Sequence, residues 1–463
     1  MKRRLILVAA AFLLLTLAVV ATTLDAESPA SMEQAPHRAF LPIVRRAYRP
    51  PEPCLPHYSE PREILRLNVA GDLYGIRSAD LNGDGWPDVL LYRGFTGTTR
   101  SAPLGILLND GRGNLSEGAS QVFQGSVPSV VVARELVFAD FNGDGRVDIF
   151  VADHGMDAYP EPSNQNTLVL SAPGGKLVDA TAKLPQQIDY THSAAAADID
   201  GDGDVDLYVG NLWSATTSFP PAIWLNSDGA GAFVAATGRL PYPVEDLGSG
   251  GFTTCEFVDV NNDASPDLVL GDAGDDLEGG PDSLVLSNDG TGHFTRLPNA
   301  IPAKPFSPTD TPVDIDAHDL NGDGYQDLLM VFTRWTYAGR YIQVLINNRD
   351  GTFRDETAAR LPQSDNYDPW IVWVFLHDLD MDGHLDIVAQ PMGAQEPLFY
   401  LNNGDGSFRP LPNVFNIGTD NLFTFLDIDR DGLLDVLWAY GNNGVETVPE
   451  VHFLVQASGC PPF

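Results

Sequence analysis

The stretch from Asp80 to Asp88, DLNGDGWPD, decides the fold, because six further copies follow it along the 463-residue chain. They are DFNGDGRVD (140–148), DIDGDGDVD (198–206), DVNNDASPD (259–267), DLNGDGYQD (319–327), DLDMDGHLD (378–386) and DIDRDGLLD (427–435). Their first aspartates lie 60, 58, 61, 60, 59 and 49 residues apart. A period so steady marks a repeat architecture, in which each unit buries its core against its neighbours.

In every copy, oxygen-bearing side chains stand at positions one, three, five and nine. The sets are Asp80, Asn82, Asp84 and Asp88; Asp140, Asn142, Asp144 and Asp148; Asp198, Asp200, Asp202 and Asp206; Asp259, Asn261, Asp263 and Asp267; Asp319, Asn321, Asp323 and Asp327; Asp378, Asp380, Asp382 and Asp386; and Asp427, Asp429, Asp431 and Asp435. Carboxylates and carboxamides at this spacing converge on one point, and an all-oxygen shell suits a hard cation. Up to seven Ca2+ ions are therefore expected. Glycine at position six permits the sharp turn, and Ala264 replaces it in the fourth copy, whose site is expected to be the weakest or most distorted. An EF-hand would need a bidentate glutamate at position twelve. Here that position holds Leu91, Val151, Val209, Leu270, Met330, Ala389 and Trp438, none of which can bind a metal.

Each loop is followed by a short apolar run such as VLLY or IFVA, rich in strand formers and too short for a helix. Between the loops lies a second repeated element, with the copies LLNDGRGNL (107–115), LSAPGGKLVD (170–179), WLNSDGAGAFV (224–234), LSNDGTGHF (286–294), LINNRDGTF (345–353) and YLNNGDGSF (400–408). Asn, Asp and Gly between apolar residues mark a tight hairpin. Each unit thus reads as strand, acidic loop, strand, long variable loop, strand, hairpin, strand. Four strands repeated seven times predict an all-β, seven-bladed β-propeller with a calcium loop in each blade.

With both elements in place, the chain resembles the FG-GAP and VCBS-type repeats of secreted bacterial proteins and of the integrin α-subunit propeller, over roughly residues 60–460. The resemblance implies the propeller fold. It also implies a range of roles, from adhesion heads and lectins to a few polysaccharide lyases, and fold alone does not choose among them.

The chain ends predict ring closure. The seventh unit lacks its last strand, and ILRLNVA (64–70) can supply it. Cys54 and Cys460 flank the segments that closure would join and are expected to form a disulfide clasp, while Cys255 falls on a buried strand position. Lys2, Arg3 and Arg4 precede an apolar stretch from Leu5 to Val20, the layout of a secretory signal. Residues 1–26 are read as a signal peptide or an uncleaved signal anchor, 27–55 as a proline-rich linker and 56–463 as the propeller. A secreted or cell-surface location and a monomeric state are expected, with any membrane contact made only through an uncleaved N-terminal segment.

The 63 acidic residues outnumber the 27 basic ones, for a net charge of −36, which excludes nucleic-acid binding by bulk electrostatics. Twenty-four of the acidic residues are the aspartates of the signature positions. No GxSxG elbow, HExxH helix, P-loop or CxxC pair occurs. His318 and His377 share a repeat position directly before their loops and read as structural strand-end residues, whereas His154 and His192 fall on segments read as loops and are left without a role.

In a four-stranded blade the acidic loops and hairpins share one end, so the long non-repeating loops gather at the other. Aromatic side chains on those loops suit sugar rings or protein anchors, and the candidates are Tyr159, Tyr190, Trp213, Trp335, Tyr337, Tyr367 and Trp370. The expected function is a calcium-stabilised binding or adhesion module for an extracellular glycan or protein, more in keeping with the sequence than an enzyme. The alternatives are a carbohydrate-active enzyme such as a polysaccharide lyase, for which Arg100, Arg334 and Arg340 are the loop cations available, and a purely structural surface protein.

Overall fold

A computed structural model describes residues 59–456 apart from 69–70, 96, 157, 213–218, 242–243, 245–250, 273–281, 305–306, 308, 335–337, 364–365, 392–395, 416, 420–421 and 441–449. The signal, the linker, the Cys54–Cys460 pairing, Trp213, Trp335, Tyr337 and the side chain of Tyr367 lie outside what is described.

The described residues form an all-β propeller. In the first sheet the strands Asp72–Ala79, Asp88–Gly94, Gly105–Asn109 and Leu115–Glu117 run as an antiparallel meander. The first acidic loop joins its first two strands and the Asn/Gly hairpin its last two. The same order is repeated in sheets whose first strands are Ala133–Ala139, Thr191–Ala197, Phe252–Val258, Thr311–His318, Ile371–His377 and Leu422–Leu426. These strands are innermost and pack against one another in succession from the second sheet to the sixth, Ala133–Ala139 meets the first sheet at Asp88–Gly94, and Leu422–Leu426 returns to Asp72–Ala79. Between the sixth and seventh sheets, Phe375 meets Phe423 edge-on at 6.4 Å.

Closure follows the expectation. Arg62–Asn68 pairs antiparallel with Glu450–Gln456 and completes the seventh sheet, two residues earlier than the apolar pattern suggested. Additions blunt two sheets: Phe123–Gln124 joins the outer edge of the second in parallel, and Asn366–Pro369 pairs with the third strand of the fifth, Ala338–Asn347. In six innermost strands the register slips at one repeat position, for example between Leu73 and Gly75 and between Thr191 and Ser193, a recurrent bulge that adds twist where strands crowd the axis.

The core sits between sheets, as a ring of repeats requires. Trp224, fully buried in the third sheet, packs edge-on against Phe150 of the second at 6.1 Å, with Val137, Leu168 and Leu207 around them. The residues at position twelve, from Leu91 to Trp438, are all buried, which explains why that position is apolar and never a ligand. Cys255 is also fully buried, a core residue between the third and fourth sheets.

Around the axis the innermost strands carry charge. Glu135 accepts the Ala194 N–H at 2.5 Å, and Asp314 accepts the Val374 N–H at 2.7 Å, so each carboxylate ties its strand to the next. Burial pushes both carboxyls well above the ordinary range. The Arg77 guanidinium reaches across to Trp373 and Phe375, 5.6 and 5.0 Å from their ring centres.

Candidate functional site

The acidic loops are built by their own backbone. The N–H of residue six donates to the first aspartate in all seven copies, at 2.7–3.0 Å, from Gly85 to Asp80 through to Gly432 to Asp427. Positions four and six both adopt positive φ, for example +72° at Gly83 and +87° at Gly85. In the fourth copy Asn262 and Ala264 hold the same conformation at +57° and +74°, and Ala264 still donates to Asp259 at 2.8 Å. The expected distortion is therefore absent, and the loop instead carries backbone strain. A Cβ in the left-handed region costs roughly 1–2 kcal/mol. Ala264→Gly is expected to raise stability by about 1 kcal/mol, partly offset by the freer unfolded chain. Urea midpoints of the two proteins measure this, and an unchanged midpoint would show that the loop relaxes around alanine.

Position nine has a second role. Each of these aspartates is buried at the start of its strand, and one oxygen accepts the N–H of position two at 2.7–3.3 Å. The other oxygen accepts the first hairpin N–H, from Asn109, Ser171, Asn226, Asn288, Asn347 and Asn402, at 2.6–2.9 Å. Burial pushes Asp88, Asp148, Asp206 and Asp327 up to about 7 and Asp386 up to about 8. The hairpin asparagines then reach the preceding sheet. Asn226, Asn288 and Asn347 donate their amides to the position-two carbonyls of Phe141, Ile199 and Val260 at 2.8 Å, and Asn402 donates to Leu320 at 3.0 Å. Asn109 does the same to Ile428 at 2.8 Å, which carries the pattern across the closure from the first sheet to the seventh. The acidic loops and hairpins are thus locked together at one end of the molecule.

Five copies of the FG-GAP-like repeat match this chain, over residues 80–151, 140–209, 259–330, 330–389 and 378–438. The chain belongs to that family. Among curated proteins it is 26% identical over 300 residues to the human T-cell immunomodulatory protein, covering 59% of this chain and 45% of that one, so it spans less than half of that relative's length. Among solved structures it is similar to an Agrocybe aegerita lectin, described for its specific recognition of non-reducing terminal N-acetylglucosamine, at 19% identity and a TM-score of 0.48 over 74% of this chain and 80% of that one.

The acidic loops of this FG-GAP chain are not equivalent as candidate cation sites. In the third, sixth and seventh, position three is aspartate, and carboxylate oxygens of Asp198, Asp200 and Asp206, of Asp378, Asp380 and Asp386, and of Asp427, Asp429 and Asp435 lie within 4.8 Å of one another. Each of these three loops also contains a buried oxygen with no hydrogen-bond donor, on Asp200, Asp380 and Asp427. Mutually repelling carboxylates with open valences are the chemistry of a cation site. Burial is the largest influence on Asp200, Asp378, Asp380 and Asp427 and raises the pKa of each, with neighbouring aspartates adding to it.

The opposite end follows no repeat. Between the second and third sheets, Asp153, Asn164, Asn166, Thr191 and Asn211 form a polar chain. Asn164 donates to Asp153 at 2.7 Å, Asn166 accepts the Asp153 N–H at 2.9 Å and donates to Thr191 at 2.8 Å, and Thr191 donates to Asn211 at 2.8 Å. Asp189 pairs across from Asn164 and is 1% exposed, with the Asn211 amide nearby. Burial pushes its carboxyl up to about 7, opposed by the nearby Asn211 amide.

Two aromatic candidates need correction. Tyr190 is buried and stacks on His154 at 4.6 Å, and Trp370 is buried in the core, because both sit where a connection enters an innermost strand rather than at a loop tip. Tyr159 is displayed, at 71% exposure. His192 belongs to the strand Thr191–Ala197 rather than to a loop, and its Nδ1 lies 2.8 Å from the Thr253 carbonyl of the next sheet. Burial pushes His154 down to about 3, with the Arg134 charge adding to the effect. His318 and His377 end their strands, as expected; His377 is buried 4.9 Å from the Phe425 ring and is pushed down to about 4. Arg100 stacks on Phe95 just past the second strand of the first sheet, whereas Arg334 follows the second strand of the fifth sheet and Arg340 lies in its third.

Proposed function

We propose that the chain is a seven-bladed, calcium-stabilised propeller that acts outside the cytoplasm as a binding module, holding a glycan or protein ligand at the end opposite its acidic loops. Residues 1–26 direct export and 27–55 link that segment to the ring at 56–463. Calcium in the acidic loops serves the scaffold. The bound ion supplies positive charge to carboxylates that would otherwise repel, and Asp198, Asp200 and Asp206 with their counterparts in the sixth and seventh loops hold it.

The observation that carries this reading is the contrast between the two ends. One end repeats and closes on itself through hydrogen bonds. The other differs from sheet to sheet and carries four of the five exposed large hydrophobic side chains among the described residues: Tyr159, Ile188, Phe219 and Val414. Three of these come from the second and third sheets, beside the polar chain and the buried Asp189. Exposed apolar groups around a rigid polar floor supply contact area and orientation together.

The test is a glycan array and a cell-surface pull-down with the secreted protein in calcium, repeated with Tyr159→Ala and with Val234→Ser, a control on an outermost strand. Tyr159→Ala is expected to weaken capture at least about tenfold, the loss of roughly 1.4 kcal/mol that one aromatic anchor readily supplies, and Val234→Ser to leave it unchanged. Blank results in both formats with the unmodified protein would overturn the binding role.

A further inference from the structure

The second acidic loop departs from the others. Its Asp144 has one oxygen held by the Arg146 guanidinium at 2.5 Å, and the same guanidinium donates to the Ala172 carbonyl at 2.6 Å. The other Asp144 oxygen accepts the Arg146 N–H at 3.1 Å and the Ser171 hydroxyl at 2.9 Å. Asp148 is equally engaged. One oxygen accepts the Phe141 and Asn142 N–H groups at 2.8 and 3.0 Å, and the other accepts the Ser171 N–H at 2.6 Å and the Asn142 amide at 3.2 Å.

Two substitutions produce this. Arg146 occupies position seven, where the other copies have Trp86, Asp204, Ser265, Tyr325, His384 and Leu433, and Ser171 begins the hairpin where five copies have asparagine. Arg146 is only 25% exposed and held from two sides. The arginines touching the fifth and sixth loops differ: Arg349 and Arg409 are 59% and 51% exposed and reach Asp323 and Asp380 from outside, at 3.2 and 3.5 Å. Exposed pairs of that kind are weak and swing away at little cost, whereas a planar guanidinium fixed by two acceptors is hard to displace.

We infer that the second loop is not a calcium site, because Arg146 already supplies its cation. The inference rests on the calcium reading of the other loops. A hard divalent ion needs the Asp144 oxygens facing it, and here one is taken by the Arg146 guanidinium and the other by the Ser171 hydroxyl, a pairing that no other loop has among the described residues. The second sheet therefore folds without metal, and its loop keeps its shape when calcium is withdrawn.

Calcium stoichiometry by equilibrium dialysis on the intact chain, compared with R146Y, which places the tyrosine of the fifth loop at this position, tests the inference. R146Y is expected to bind one more calcium per chain than the unmodified protein. Equal, non-zero counts would overturn the Arg146 assignment alone, whereas no calcium bound by either protein would bring down the calcium reading as a whole. Should R146Y fail to melt cooperatively, anomalous scattering from terbium soaked into crystals of the unmodified protein decides the matter without a variant. Peaks at the third, sixth and seventh loops and none at the second are expected, and a peak between Asp140, Asp144 and Asp148 would refute the inference.

Discussion

Excess EGTA is expected to lower the melting temperature of the full chain by on the order of 10 °C. The third, sixth and seventh loops each bring three carboxylates within 4.8 Å of one another and leave one buried oxygen without a donor. An ion present at about a hundred times its dissociation constant stabilises its site by roughly 2.7 kcal/mol, so three such sites contribute about 8 kcal/mol. With an unfolding entropy of roughly 2.1 cal/mol/K per residue, each kcal/mol is worth about 1.2 °C in a ring of about 400 residues. The loss should also spread, because the third and sixth loops share their position-nine aspartates with hairpins whose asparagines grip the preceding sheet. Hydrogen exchange in EGTA should accelerate first at residues 198–206, 378–386 and 427–435 and last at 140–148, where Arg146 stays in place. A melting curve indifferent to EGTA would refute the stabilising role of the metal.

Why those loops could be recognised from the chain alone, while their second role could not, is a matter of range. The ligand spacing, the turn glycines and the Asn/Gly hairpins are local, and the repeat itself placed Cys255 in the core, at a position where the other copies carry Ile76, Leu136, Ala194, Ile315, Val374 and Phe423. The missing strand of the seventh sheet was legible as well, since an unmatched apolar run at one end answers an incomplete unit at the other. The clasp was not legible. Asn109 and Ile428 are separated by 319 residues, and nothing in either segment announces an amide aimed at a carbonyl across the closure. The same limit applies to Glu135 and Asp314, whose acceptors' role depends on a neighbouring strand about sixty residues away. Tyr190 and Trp370 lie on segments that read as loops, yet short connections turn them inward. Arg146 and Ser171 show the converse: both departures from the repeat were visible in the sequence, but only their meeting at Asp144 gives them meaning.

Asp327→Ala is expected to cost about 3 kcal/mol or more, with much of that cost remaining in EGTA. Asp327 is fully buried, and its two oxygens accept the Leu320 N–H at 3.2 Å and the Asn347 N–H at 2.8 Å. Removing the carboxylate strands two backbone donors, each worth roughly 1–3 kcal/mol when left unsatisfied. It also loosens the hairpin from which Asn347 reaches Val260 in the fourth sheet. Asp382→Asn, in the sixth loop, provides the contrast. Asp382 is exposed and accepts the His384 N–H within the loop at 2.9 Å. An amide oxygen there can still accept the His384 N–H, so the substitution should matter in calcium and become nearly neutral in EGTA. Chemical denaturation of both variants with and without EGTA separates the two roles, since a metal ligand loses its importance with the metal and a clasp does not. If the Asp327→Ala penalty vanished in EGTA, position nine would be a calcium ligand only, and the hydrogen bonds linking one sheet to the next would contribute little to closing the ring.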